Sequence, residues 1–499
     1  MECNKTYSNF LTKEELFSSD CELNLDIAVS LPQYCEDILS VKRCKADSYV
    51  TGCELLNGEI KIHGKTCVNI VYINDSGCLS SFEYEQEFTK SVSTDKDYSD
   101  NRVHASLVKK YDNHKIINQR RIDVVSNLTL SVCVYSYCQN SVLDSCENAS
   151  FKRERYSCLV PICDCQSAVE FDEECEISPE SSAVKNIVSC FKHFKVNETK
   201  LIKDKLLIKA GVEASVCYIT EDDEISKFSA SFELSKIVEV PGADEYCDAF
   251  INLLPVNFNV KAKANSDNIM RNIEFYGSVQ ADVEIYKCKE ASFSTDCYSK
   301  YNFESSARKA TLRADGEFAC EEKSFNIEAG FNNTDIKEIL DLNIYINKRS
   351  KNINAHSVDY EFCTEVFFIN SAGEYSFANS FETKRFSINR EFNFCSSEIQ
   401  IKSFDYTLKS ADKVDVRVSA DLSCLSGTQI NLNYISDIDI SDEEKCVESP
   451  ALTVYFAKQD EDIWSIAKKF NSDVDLIAEE NSITGDKLDS AQIILIPGV

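Results

Sequence analysis

Gly58-Glu-Ile-Lys-Ile-His-Gly64, Val68-Asn-Ile-Val-Tyr-Ile-Asn74 and Ser81-Phe-Glu-Tyr-Glu-Gln-Glu-Phe88 alternate apolar with polar or acidic side chains at period two. This is the pattern of half-buried antiparallel strands. The same block recurs twice. Lys205-Leu-Leu-Ile-Lys209 leads into Ala214-Ser-Val-Cys-Tyr-Ile-Thr220, a turn at Glu221-Asp-Asp223 and Lys227-Phe-Ser-Ala-Ser-Phe-Glu233. Asn352-Ile-Asn-Ala355 leads into Thr364-Glu-Val-Phe-Phe-Ile-Asn370, a turn at Ser371-Ala-Gly373 and Ser376-Phe-Ala-Asn-Ser-Phe381. Tyr72, Tyr218 and Phe368 are equivalent, at spacings of 218 − 72 = 146 and 368 − 218 = 150. Intervals this long mark tandem domains, because solenoid units are much shorter. Each copy follows a polar segment with an apolar pair, as in Asp37-Ile-Leu-Ser40, and precedes more strand pattern, as in Leu128-Thr-Leu-Ser-Val-Cys-Val-Tyr135. The expected fold is mainly β, with three tandem β-sandwich or partly open barrel domains at residues 12–140, 155–290 and 306–430.

A different module ends the chain. Thr453-Val-Tyr-Phe456 and Gln492-Ile-Ile-Leu-Ile496 read as buried strands. Between them Ile463, Ile466, Ala467 and Phe470 repeat at helical spacing, and Ser472, with Asp475 three residues on, offers a second helix start. The order strand, helix, helix, strand is expected over residues 451–499. An acidic linker over 431–450, including Ser441-Asp-Glu-Glu-Lys445, is expected to be extended and to let the tail move.

The chain has 499 residues, 53 Lys plus Arg against 83 Asp plus Glu, and a net charge of −30. That balance argues against nucleic acid and anionic membranes as partners. No signal peptide or membrane span is legible, so a cytosolic chain without direct membrane insertion is expected. The 24 cysteines would then begin as thiols. Cys158, Cys163, Cys165 and Cys175 crowd one segment, but they form no paired C-x-x-C and have no matching histidine spacing. Buried or pairing thiols are the preferred reading over a metal site, with late oxidative cross-linking as a further alternative. The five histidines follow no shared pattern with a nucleophile, and no phosphate-binding loop or H-E-x-x-H motif occurs. No catalytic residue, metal or cofactor is expected.

The tail resembles a LysM domain of α+β (βααβ) fold, through Tyr455, Ile463-Trp464-Ser-Ile-Ala467, Asp475-Leu476, Asn481 and Gln492 to Pro497. In that family the loops bind N-acetylated glycans. Here Asp460-Glu461-Asp462 replaces the family's G-D-T turn, and Ser490-Ala491-Gln492 replaces P-G-Q. Both changes lose a glycine where backbone approaches a ligand. Trp464 is expected in the helix packing. With four Lys and nine acids over 451–499 (4 − 9 = −5), the expected partner-binding residues are Asp460, Glu461, Asp462, Asn481, Ser482, Ile483, Ser490, Ala491 and Gln492, with Asp489 beside them. They would face a basic, partly apolar protein surface.

The three repeats resemble the SPOCS domain of spore-former proteins, through the Ile-Leu lead, the G-x-I-x-I-x-G strand, the aromatic-Ile strand and the spaced phenylalanines. Three such copies before one LysM-like module resemble a spore-envelope layout. That resemblance implies a non-enzymatic scaffold or adaptor, made in the mother-cell cytoplasm, recruited to the forespore surface and retained in the spore coat. It implies the coat morphogenetic ATPase SpoIVA, or a protein like it, as partner of the tail. The alternative is a wall protein whose LysM-like tail binds peptidoglycan or cortex glycan. Self-association through strand edges is left open.

Overall fold

The computed structural model describes residues 4–352, 356–445 and 450–498. The expected Ile353-Asn-Ala355 part of the third copy therefore lies outside the described residues. Eighteen strands fall into three repeats of six. The first holds β1 (Lys5–Ser30), β2 (Ile38–Leu56), β3 (Glu59–Asn74), β4 (Leu79–Ser93), β5 (Arg102–Asn118) and β6 (Arg121–Cys146). The second holds β7 (Ser150–Glu176), β8 (Val184–Ile202), β9 (Lys205–Thr220), β10 (Ile225–Glu239), β11 (Asp248–Ala264) and β12 (Met270–Tyr298). The third holds β13 (Tyr301–Gly330), β14 (Ile336–Asn352), β15 (Ser357–Asn370), β16 (Tyr375–Ser387), β17 (Phe394–Ser410) and β18 (Lys413–Glu444).

The first repeat folds as a meander, β2-β3-β4, facing a second sheet ordered β1-β6-β5. The others follow the same plan, and β7 and β13 join their second sheets into one of six strands, β11-β12-β7-β13-β18-β17. Period-two burial explains the facing. Leu128, Leu130, Val132 and Val134 of β6 are buried against Ile60 and Ile62 of β3, while Thr129, Ser131 and Cys133 point away. The turn after the middle strand's leading edge is equally repetitive. Gly77, Asp223 and Gly373 all hold φ near +60° to +81°, where glycine is free and Asp tolerates the left-handed region. In each copy a side-chain oxygen, on Asn74, Thr220 or Asn370, accepts from the backbone N–H four residues on.

The structure departs from expectation at the junctions. β6 and β7 are separated only by residues 147–149 and β12 and β13 only by 299–300, so the stretches left between the expected domain bounds, 141–154 and 291–305, are strand on either side of a short turn. The linker expected over 431–450 is corrected as far as 444, because β18 continues to Glu444 and pairs with β13 through Glu304↔Asp439 and Phe303↔Ile440. Asp437 and Asp439 point outward, while Ile435, Ile438 and Ile440 are buried with Leu143 and Cys297 of the other repeats. Acidic density concealed a strand with an apolar inner face. Residues 446–449 lie outside the described residues.

The repeats also meet each other. Val71, Cys217 and Phe367 are equivalent positions, by the same intervals of 146 and 150, and they share one buried cluster. Equivalent residues converge in this way only about a common axis, so the chain closes as a pseudo-threefold ring. Arg43 lies near that axis. It pairs with Glu365 of the third repeat, donates to Asn69 at 2.9 Å and lies over the rings of Phe191 and Phe377.

Candidate functional site

The tail comprises β19 (Leu452–Ala457), α1 (Ile463–Phe470), α2 (Val474–Glu480) and β20 (Gln492–Pro497). Ala457, Ile463, Ile466, Ala467, Ile477, Leu488, Ile494 and Ile496 form its core. The helix α2 starts at Asp473, whose carboxylate accepts from the N–H groups of Asp475 and Leu476. Ser472, expected as that cap, instead donates to the Pro497 carbonyl.

Asp460 stands where the related pattern has glycine and keeps a left-handed φ of 62°. The turn shape survives with a carboxylate added, and that carboxylate is exposed. Glu461 is engaged internally. It accepts from the Tyr455 hydroxyl at 2.9 Å and the Lys458 N–H at 2.8 Å, bonds that hold its carboxyl below the usual range despite some desolvation. Asp462 turns toward the second repeat and pairs with Lys152 at 3.2 Å. The 460–463 loop is zipped to the loop before β20 by Asp460 N–H to Leu488 carbonyl, Leu488 N–H to Glu461 carbonyl, and Ile463 N–H to Asp486 carbonyl.

Asn481 is also engaged. Its amide donates to the carbonyls of Ile477 (2.8 Å) and Leu495 (2.6 Å) and accepts from the Leu495 N–H (2.7 Å), which ties the end of α2 to β20. Ser482 is exposed with φ 54°, and Ile483 is half-buried against the core. Asp489, Ser490, Ala491 and Gln492 are exposed. Of the residues singled out in the sequence, Asp460, Ser482 and Asp489 to Gln492 thus present free side chains; Glu461, Asp462 and Asn481 bond within the chain.

The expectation of two buried strands needs correction. Only the helix-facing side of the β19–β20 pair is covered. On the other side Val454 and Phe456 are 65% and 66% exposed and Ile493 is 63% exposed. Phe456 pairs with Ile493, and Val454 with Leu495, so these side chains form a contiguous apolar stripe. Alternation within Thr453-Val-Tyr-Phe456 was the available signal: both phases are apolar, so one of them had to face outward.

The tail is docked on the body, contrary to the expected mobility. Trp464 donates its indole N–H to Asp296 at 2.9 Å and meets the Tyr298 ring edge-on at 4.9 Å. Lys468 pairs with the same Asp296 at 2.6 Å, and the Tyr298 hydroxyl donates to the Ser472 carbonyl at 2.6 Å. Desolvation acts to raise the Asp296 carboxyl, but Lys468 and Trp464 hold it below the usual range.

A thiol metal site is disfavoured by geometry. Cys158 and Cys175 lie at opposite ends of a 17-residue span of one strand, roughly 55 Å of extended chain, so the four thiols cannot converge. No group of three or more metal-ligating side chains occurs among the described residues, and no helix there is long and apolar enough to cross a membrane.

Comparison with known proteins agrees with this geometry. The family described as SipL, SPOCS domain, matches residues 37–115 and 183–263, and the LysM domain family matches residues 457–497. The matched SPOCS segments run from β2 into β5 and from the β7–β8 turn into β11; the third repeat has the same strand order outside those matches. No curated protein and no solved structure matches the chain. Both matched families are non-catalytic binding domains. The chain therefore carries two segments that match the SPOCS domain and, after the three repeats, one that matches the LysM domain.

Proposed function

We propose that the protein is a non-enzymatic scaffold of the spore envelope whose LysM domain recruits a coat morphogenetic protein of the SpoIVA type. SPOCS and LysM domains fit a sporulation scaffold or a wall-binding role. The observation that favours the scaffold is the exposed stripe of Val454, Phe456 and Ile493 beside free acidic side chains at Asp460 and Asp489. A contiguous apolar patch rimmed by charge suits a protein surface with basic and apolar character. In this reading three SPOCS-like units, proposed at 12–140, 155–290 and 306–430, carry the tail at 451–499 to the forespore surface from the mother-cell cytoplasm. The docking of Trp464 and Lys468 on Asp296 would fix the tail's orientation while leaving the β19–β20 face open.

Co-purification with a SpoIVA-type protein, with and without residues 451–499, tests the proposal. Capture lost on deletion, and lost again in Phe456→Glu with the fold retained, is the expected result. Unchanged capture after deletion removes the role given to the tail. The LysM match itself supports the rival, a wall protein binding peptidoglycan or cortex glycan. Tight, tail-dependent retention on chitin oligomers would reverse the ranking.

A further inference from the structure

The β19–β20 ribbon has two long edges, and the chain closes only one of them. The N–H of Leu495 donates to the Asn481 amide oxygen at 2.7 Å, and its carbonyl accepts from the Asn481 amide nitrogen at 2.6 Å, so both backbone groups point away from β19. In an antiparallel pair this direction alternates residue by residue. Val454 is the partner of Leu495 across the ribbon, so Val454, and with it Leu452 and Phe456, turns N–H and C=O away from β20. The bond from the Gly498 N–H to the Ala451 carbonyl at 3.1 Å fixes the same phase. On β20 the outward row is covered, by Asn481 at Leu495 and by the Ser472 hydroxyl at the Pro497 carbonyl. On β19 it is open. The backbone groups of Leu452, Val454 and Phe456 meet no partner beyond β20 among the described residues, and Glu461 closes only the far end, by accepting from the Lys458 N–H.

This edge is also unguarded. Charged side chains along an edge strand are a common defence against pairing with another chain, and every edge strand of the body's sheets carries them, as β4 does at Glu83, Glu85 and Glu87 and β16 at Glu382, Lys384 and Arg385. β19, Leu452-Thr-Val-Tyr-Phe-Ala457, has no charge, no proline and no glycine. The residues with outward backbone groups are the ones whose side chains are bare, with Leu452 49%, Val454 65% and Phe456 66% exposed. Backbone donors and acceptors thus stand in register with an apolar face. A ribbon of two strands is the smallest sheet, and a third strand on its apolar face would stabilise it.

We infer that β19 is a docking edge, on which an extended segment of a partner protein adds as a third strand, with apolar side chains at alternate positions and basic residues flanking them. The inference rests on the reading of the tail as a protein-binding module and names the form its partner takes. Main-chain hydrogen bonds to Leu452, Val454 and Phe456 supply affinity, and the side chains on the Val454 and Phe456 face select an apolar residue at every second position. Charge decides between occupants. A second copy would bring another chain of net charge −30 against this one, whereas a segment with basic flanks meets a tail of net charge −5 and is drawn to it.

Fluorescence polarisation tests this on the full-length protein, with a labelled peptide that alternates threonine and valine between paired lysines. One saturable site per chain is expected. The same peptide N-methylated at every second amide, and a version with glutamates in place of the lysines, should each bind weaker by about tenfold or more. Val454→Pro removes one outward N–H and spares the β19–β20 ladder, so it should weaken the peptide about tenfold with far-ultraviolet dichroism retained; Val454→Thr, which keeps that N–H, should not. Hydrogen exchange of the wild type gives a reading that needs no variant: the peptide should slow the amides of Leu452, Val454 and Phe456 and leave those of Thr453 and Tyr455 unchanged. Absence of saturable binding, equal binding of the N-methylated peptide, or a concentration-dependent doubling of mass that Val454→Pro abolishes overturns the inference. Capture of a SpoIVA-type protein lost in Phe456→Glu but kept in Val454→Pro would sink strand addition and leave the proposed function standing. Peptide binding with the expected amide protection, alongside capture that survives deletion of residues 451–499, would support the docking edge and remove the proposed partner.

Discussion

Glu365 has a side chain only 3% exposed and Arg43 one 10% exposed, and their ion pair joins the first repeat to the third. Removing one member of such a pair strands a buried charge, which costs about 3–5 kcal/mol, whereas replacing both by apolar groups is close to neutral. Glu365→Gln should therefore lower unfolding stability in urea by about that amount, and Arg43→Met with Glu365→Leu should recover most of it. A loss below about 1 kcal/mol in the single variant would show that the pair is not a lock. The same residue sets a pH dependence. Burial acts to raise the Glu365 carboxyl, but Arg43 and Lys45 outweigh it and hold it below its ordinary 4.5. A depressed carboxylate contributes stability above its unfolded value and loses it as pH falls through the folded one, so that contribution should fade on acidification below about pH 4.5. Glu398 runs the other way. Burial pushes it up to about 6 against a partial pull from Arg349, so its charged form opposes folding above pH 6 and the penalty vanishes on acidification toward 4.5. Glu398→Gln should stabilise the protein by about 2 kcal/mol at pH 7 and by nothing at pH 4; equal effects at both pH values would refute the assignment.

The contact between α1 and the end of β12 can be read with one fluorophore, since Trp464 is the sole tryptophan. Its indole N–H rests on Asp296 and its ring on Tyr298. Asp296→Ala removes the acceptor and the Lys468 partner together, so Trp464 emission should shift to the red by several nanometres while far-ultraviolet dichroism stays constant. An unchanged spectrum would mean that α1 is held by other contacts. How much of this was legible varied by element. The β3–β4, β9–β10 and β15–β16 pairs stood out because they run without a register slip, whereas the leading strands β2, β8 and β14 each slip three times; both short helices showed their apolar stripe. The strand ends did not. β13 slips register between Ser306 and Ala307 and again between Ala314 and Glu317, and each slip resets the period on which sequence reading depends. In β18 the outward carboxylates of Asp437 and Asp439 are met by Lys5, at 2.8 and 3.2 Å, a partner more than 400 residues away that no local pattern reveals. The tail site was half legible for a related reason. Asp460 announces an exposed turn by its composition, whereas Asn481 reads as a polar loop residue until its three bonds to Ile477 and Leu495 are seen.

For the molecule as a whole, closure of the ring decides how it should unfold. Each repeat has a core of its own, such as Ile344, Phe362 and Val416 in the third, which would permit independent melting. Yet the axis buries Val71, Val188, Cys217 and Phe367 from three repeats in one cluster, and a second shared cluster joins Val142, Phe293 and Tyr434 where the strand ends cross. Polar contacts run around the ring in one direction. Arg43 of the first repeat grips Glu365 of the third, Asp341 of the third takes Lys227 and Ser215 of the second, and Ser81 of the first donates to the Ile187 carbonyl of the second. Asp341 is wholly buried, so deleting the second repeat's side of that contact leaves an uncompensated carboxylate, as deleting the third strands Arg43. Axis side chains exposed together would also form an apolar patch of the kind that drives association. A chain ending after Tyr298 should therefore melt at least 10 °C below the full-length protein and elute as higher-order species, and the intact body should show one cooperative transition by calorimetry. Three separable transitions, with the first two unmoved by removal of the third repeat, would show that the ring is an arrangement of independent domains and that its interfaces contribute little.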